Sequence, residues 1–290
     1  MLDVLNRDAL APGIVLFGSS VIASGIDTEQ LSSALPAKPL VLNLATAQQS
    51  LTESYLFYQE LPSSVRVVVQ ALTARELMNR PQLDSHKFNA FYMYGYRPDA
   101  RTRDFLQALL GDDVSSTLAL SDAQQRFAAR WSVHRLLDTG QWRLRTNLPD
   151  MDRWATDIFF SGLFQTRLPP ADFERTLEWW LSTWTAPDPG IVETIRRLLR
   201  EMASRQASRN GRLIVFVPPV YPAVTAHVPE AFETELRSVL DDARSAGAEV
   251  IDASRLLPEE SFRDCIHVLH GNAPRLTQQI AERIRSGDEG

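Results

Sequence analysis

The sequence predicts an α/β protein built on a parallel sheet, and three observations predict it. Short continuous apolar runs rich in β-branched residues recur near both ends of the chain, as expected of strands buried on both faces. Stretches of helical composition separate these runs, and such alternation is the grammar of parallel sheets. Turn residues follow the runs, beginning with Gly18-Ser19-Ser20 directly after the first.

Taken in order, Ile14 to Phe17 is the first strand, which sets Ser20 at a strand's carboxyl end. Asp27 is suited to cap a helix running to Leu35, and Pro39 precedes the second apolar run, Leu40 to Leu44. Leu51 to Leu61 reads as a helix ahead of a third strand, Val65 to Val69. The pattern returns late, with a strand at Leu213 to Val217, a helix at Glu230 to Ala246 and a strand at Glu249 to Ile251. In that helix Phe232, Leu236, Val239, Leu240 and Ala243 share one face, and Gly247 can close it. The last helix is expected to start with Asn272 as cap and Pro274 in its first turn. Its core stripe of Leu276, Ile280 and Ile284 should cover one face of the sheet.

Residues 81–210 lack clear β-branched strands and are rich in arginine, aromatics and helical periods. They read as a helical cap inserted between residues 1–80 and 211–290, which together form the α/β core. All six tryptophans, Trp131, Trp142, Trp154, Trp179, Trp180 and Trp184, fall in this insertion with the aromatic stretch Phe88 to Tyr96. They either build the cap's own core or line a pocket for an acyl chain or glycan.

Composition narrows the function classes. A hydrophobic share of 44% with 23% charged residues is that of a soluble globular chain. No apolar run approaches the ~20 residues that cross a bilayer. A net charge of −6 gives no general attraction for phosphate backbones or anionic lipid, so nucleic acid is not an expected partner. One cysteine, Cys265, precludes an internal disulfide and fits a reducing, cytoplasmic compartment. The opening segment MLDVLNRDALAPG carries acids and no apolar signal core, so no export signal is expected. Neither G-x-x-x-x-G-K nor G-x-G-x-x-G occurs, and no cofactor is expected.

Two places carry chemistry. Ser20 lies where parallel sheets bind ligands, outside the strands' carboxyl ends, and a nucleophile is useful there. In Asp264-Cys265-Ile266-His267 an acid three residues before a histidine can orient the imidazole through Nδ1 and leave Nε2 for a serine. A loop leaving the last strand would reach the same rim as Ser20. Other candidates are weaker. His267-x-x-His270 has a metal-compatible spacing but no evident carboxylate or cysteine partners, so no metal is expected. His86, His134 and His227 are isolated and read as surface or packing residues. Cys265 reads as a small half-buried residue within the motif.

The blocks Phe17-Gly18-Ser19-Ser20 and Asp264 to His267 resemble those of SGNH (GDSL-type) hydrolases, which open with a G-D-S-like motif after the first strand and close with D-x-x-H before the last helix. Ser19 stands where that family usually has aspartate. The same replacement occurs in its membrane-associated acyl-transfer and cell-surface glycan branches, whose openings are similar to GSSVIASGID here. Val217-Pro218-Pro219 is similar to those branches as well. The resemblance covers the two terminal portions, about half of the chain.

It implies a flavodoxin-like three-layer α/β sandwich with a parallel sheet and a large helical insertion. It also implies a Ser20, His267, Asp264 triad acting on an acyl ester of a glycan, lipid or small molecule, as hydrolase or O-acyltransferase. A membrane-associated protein partner is a weaker implication. The family's oxyanion hole takes a glycine amide from a second block and an asparagine side chain from a third. In Asn43 to Gln48 the glycine position falls on Gln48, and in Gln70 to Arg75 the asparagine position falls near Thr73 or Ala74. The Gln48 amide and the Thr73 hydroxyl are the donors that remain. A non-catalytic relative that binds a glycan, lipid or protein is therefore the competing reading.

Overall fold

The structure is a computed structural model of the chain, and it describes residues 11–46, 48–78, 98–111 and 164–288. The chain divides into two compact units, one comprising Asp3–Gln82 with Phe160–Gly290 and the other Leu83–Phe159.

The first unit carries five parallel strands, β1 (Pro12–Phe17), β2 (Leu40–Asn43), β3 (Val67–Ala71), β4 (Arg212–Val217) and β5 (Glu249–Asp252). Their order across the sheet is β2-β1-β3-β4-β5. Along the chain run the helices α1 (Ser20–Gly25), α2 (Thr28–Ser33), α3 (Leu51–Leu56), α4 (Ala100–Leu110), α5 (Pro170–Ser182), α6 (Pro189–Ser208), α7 (Pro222–Ala226), α8 (Glu230–Ser245) and α9 (Ala273–Asp288). Among the described residues, α4 is the helix that belongs to the second unit, where the Asp99 side chain accepts the Thr102 N–H at 2.6 Å and caps it.

The strands form where the sequence is continuously apolar because both of their faces are buried. Ile14, Leu16, Val67, Val69, Ile214 and Phe216 share one apolar cluster with Ile22 of α1, Leu31 of α2 and Leu276, Ile280 and Ile284 of α9. The intervening Val15, Phe17, Val68, Leu213 and Val215 are buried as completely, and α6 packs against α3, α8 and β4, with α8 on β5. Gly247, at φ +90°, closes the turn after α8 as expected, with the Ala248 amide bonded to the Ala243 carbonyl.

Three elements differ from expectation. β3 starts two residues late because the Val65 amide turns back to Pro62, and pairing with β1 begins at Val67 opposite Ile14. The expected long helix from Leu51 tightens into a 3₁₀ turn at Phe57–Glu60. A 3₁₀ turn at His270–Asn272 leads into α9, which starts at Ala273.

The larger difference is α6, which the sequence assigns to the cap. Asp188 caps it through the amides of Gly190 and Ile191 at 2.8 and 3.0 Å, and Pro189 fills its first turn. Val192, Ile195, Leu198, Leu199 and Met202 then form a fully buried stripe against the sheet-bearing unit. By compactness α6 falls in the same unit as the sheet. Trp180 and Trp184 pack on its apolar cluster, Trp184 also against Phe232 of α8 at 4.9 Å between ring centroids, whereas Trp179 is 53% exposed. Trp131, Trp142, Trp154 and the stretch from Phe88 to Tyr96 lie outside the described residues. Among the described residues no helix is long and apolar enough to cross a membrane.

The feature that positions Ser20 is the turn after β1. Gly18 sits at φ +149°, a conformation side-chain-bearing residues rarely adopt, and a Cβ there would meet Ala71 Cβ at 2.7 Å and Ile22 Cγ1 at 3.0 Å. Only a glycine lets β1 run this close to β3 and then turn into α1. Gly18→Ala is expected to lower stability by roughly 1–3 kcal/mol through backbone strain and overpacking, read as a lower urea midpoint with an unchanged slope.

Candidate active site

Ser20 is the first residue of α1, half-buried, with its carbonyl accepting the Ser24 hydroxyl at 2.9 Å. From the far end of the chain, residues 261–269 fold into a short antiparallel hairpin. Phe262 pairs with Val268, the Arg263 amide donates to the His267 carbonyl at 2.9 Å, and the Leu269 amide donates to Ser261 at 2.8 Å. Asp264 shapes the tip. Its Oδ1 accepts the Ile266 and His267 amides at 2.9 Å each, an aspartate turn that makes the three-residue spacing to His267 mechanically useful.

The other carboxylate oxygen, Oδ2, is 2.8 Å from His267 Nδ1, and His267 Nε2 is 2.8 Å from Ser20 Oγ. Ser20, His267 and Asp264, expected to converge, are thus joined in one hydrogen-bonded series. Burial alone would raise the Asp264 pKa, but its bonds to the His267 ring, the charge there and the two backbone amides hold it below the usual carboxylate range. Asp264 is therefore ionised at neutral pH and can only accept. Nδ1 must carry the proton toward it, which leaves the Nε2 lone pair for the serine hydroxyl. With both ring nitrogens engaged, His267 has none to offer a metal. Among the described residues no group of three or more histidine, cysteine or acidic side chains is placed to hold one.

The hairpin is braced from the segment after β4. The Tyr221 amide donates to the Cys265 carbonyl at 3.0 Å, its hydroxyl donates to Glu259 Oε2 at 3.0 Å, and its ring packs edge-on against Phe173 and Phe262. Burial, then the Glu259 hydrogen bond, pushes the Tyr221 pKa up, so it stays a neutral donor. Arg167 lies over the Phe173 ring at 4.3 Å and reaches the Tyr221 hydroxyl at 3.4 Å.

Gln48 and Thr73 follow β2 and β3, the two strands that flank β1, so both stand on the same carboxyl edge as Ser20. The loop after β2 stays zipped to β1, with Leu44 N bonded to Leu16 O at 2.8 Å and Thr46 N to Gly18 O at 3.1 Å. Gln48 is exposed at φ +54°, the left-handed region that favours glycine. Thr73 is half-buried and precedes the 3₁₀ turn Ala74–Leu77. His227 is exposed, its Nδ1 2.7 Å from the Ala223 carbonyl, while His86 and His134 lie outside the described residues.

Two contributors were not legible as site residues. Phe164 lies against the His267 ring, with centroids 5.0 Å apart, and Gln49 is the internal brace of the Gln48 loop. Neither belongs to a periodic or motif pattern that a sequence could signal. No family model and no curated protein matches the chain.

Cys265, between the two motif residues, is fully buried rather than half-buried, and its thiol is pushed up to about 12 by burial and by the Asp264 charge. The folded protein should resist iodoacetamide at pH 8 over hours, whereas the urea-unfolded chain is alkylated quantitatively at Cys265. Intact mass before and after unfolding reads this directly.

Proposed function

We propose that the chain is a serine-dependent acyl-transfer enzyme, an ester hydrolase or O-acyltransferase of the SGNH kind on a flavodoxin-like three-layer scaffold. The observation that carries the reading is the unbroken series from Ser20 through His267 to Asp264. The strand order β2-β1-β3-β4-β5 supports the scaffold, since it is the flavodoxin-like doubly wound order, as do the separate helix groups of α1, α2 and α9 and of α3, α6 and α8.

In this reading Ser20 Oγ attacks the acyl carbonyl carbon while His267 Nε2 takes the hydroxyl proton and Asp264 stabilises the imidazolium. The carbonyl oxygen becomes an oxyanion, for which the backbone amide of Gln48 and the hydroxyl of Thr73, on the same carboxyl edge of the sheet, are the candidate donors. Collapse of the adduct breaks the ester C–O bond, the leaving oxygen takes the proton from His267, and an acyl-Ser20 intermediate remains. Water, or a hydroxyl of a glycan, lipid or small molecule, then gives its proton to His267 as its oxygen attacks the acyl carbon; the bond from that carbon to Ser20 Oγ breaks, and Oγ takes the proton back from His267. The donors replace a glycine amide and an asparagine side chain, and the loss of that side chain is what favours the competing reading of a catalytically impaired binding protein.

A fluorophosphonate probe separates the two. It should label the native protein on Ser20, fail on Ser20→Ala, and label Asp264→Asn more slowly by on the order of 10³–10⁴, because an asparagine at that position stabilises the wrong imidazole tautomer. Labelling rates followed by mass spectrometry read all three. A native protein that stays unlabelled would sink the enzyme reading.

A further inference from the structure

An imidazole held only by a hydrogen bond at Nδ1 keeps one freedom. The ring can swing about that bond and carry Nε2 off its target. In this protein a second contact stands against the ring. Phe164 packs on His267 with centroids 5.0 Å apart and planes tilted by 49°, and it is itself only 8% exposed. The His267 side chain is 18% exposed.

Phe164 is not an incidental neighbour, because its backbone is tied to the site hairpin on both limbs. The Phe164 carbonyl accepts the His270 amide at 2.9 Å, just beyond the limb that carries His267. On the other limb the Leu168 amide donates to the Arg263 carbonyl at 3.0 Å, and the Arg263 guanidinium donates to the Thr166 carbonyl at 3.0 Å while lying 5.7 Å from the Phe164 ring centroid. Residues 164–168 therefore form a strap across the hairpin that sets where the phenyl ring sits.

We propose that Phe164 is a positioning residue, a flat wall that holds the His267 ring in the rotamer from which Nε2 meets Ser20. The inference rests on the acyl-transfer reading, and it makes the strap part of the site although Phe164 lies 144 residues after Ser20 and 100 before Asp264 in sequence. A misplacement of about an ångström at a reacting group costs up to ~100-fold in rate, which is the scale of effect at stake.

The test compares Phe164→Tyr, Phe164→Leu and Phe164→Ala by fluorophosphonate labelling rate and by proton NMR of the Nδ1–H that bridges His267 to Asp264. The tyrosine variant should restore labelling to within a few-fold of native. The leucine variant fills much of the same volume without a flat face, and it should label roughly tenfold more slowly with the Nδ1–H resonance shifted or exchange-broadened. The alanine variant should lose about 100-fold, and where it fails to fold the leucine variant decides. A leucine variant that labels at the native rate with an unchanged Nδ1–H resonance overturns the inference and leaves the acyl-transfer reading standing. A native protein that does not label overturns that reading instead, and the Nδ1–H resonance of the leucine variant then still decides whether Phe164 positions the ring.

Discussion

The hydrogen bond between Ser20 and His267 closes a separation of 247 residues, and the parallel sheet is what makes that closure cheap. All five strands point the same way, so every loop that follows a strand starts from one edge. Ser20 follows β1, which sits between β2 and β3, whereas β5 lies three neighbours away at the sheet's edge. At about 4.8 Å per strand that is a lateral distance of about 14 Å, well within the reach of the dozen residues between Asp252 and Asp264. Reach is not the difficulty. A loop that long has to be held, and residues 253–272 are held by the Ala253 amide on Val217, by buried Leu257 and Phe262, and by the Tyr221 amide on Cys265. The chain after β4 thus serves as the bridge over which the β5 loop crosses.

At the end of that crossing one carboxylate does two jobs. Asp264 uses Oδ1 to close the hairpin tip on two backbone amides and Oδ2 to orient the imidazole, so the turn that shapes the loop and the bond that sets the histidine tautomer cannot be separated. This ties local folding to the chemistry of the series. The same arrangement explains the inert thiol beside it, since burial first and then the Asp264 charge keep Cys265 protonated.

What the sequence disclosed follows from this physics. Strands buried on both faces leave an unbroken β-branched record, and aspartate turns and glycine turns are local, so β1 to β5, Gly18-Ser20 and the Asp264 and His267 pair could all be read in advance. Nothing in the chain reports which amphipathic helix packs where. The stripe of α6 is as good a core face for a sheet as for a cap, and the lack of strands with the arginine, aromatic and helical character of residues 81–210 points to a cap. Phe164 was illegible for a related reason, because a single aromatic acquires meaning only through the strap that brings it to His267. The second block hid its geometry differently, since a left-handed residue is usually announced by glycine and here it is Gln48.

On the proposed reading that residue is a backbone donor, and its conformation is set by the loop around it. Placing a glutamine at φ +54° costs on the order of 1–2 kcal/mol, and such a conformation persists only where its surroundings over-determine it. Here they do. Gln49 is 3% exposed, its Oε1 accepts the Thr46 amide at 2.8 Å and the Thr46 hydroxyl at 3.1 Å, and its Nε2 donates to Ser54 at 3.0 Å. Ser50 and Glu53, both buried, close a reciprocal capping box at the start of α3. The loop is thus pinned immediately after the strained residue. On the proposed reading the Thr73 hydroxyl is the sole stand-in for an asparagine side chain after β3. Neither Thr73 nor Ala74 carries an amide side chain, and one lost oxyanion donor is worth on the order of 10²–10³ in rate. On the proposed reading this penalty falls on the oxyanion while the proton-transfer side is intact, so the enzyme is suited to activated acyl donors, whose adducts form with little help, more than to unactivated esters.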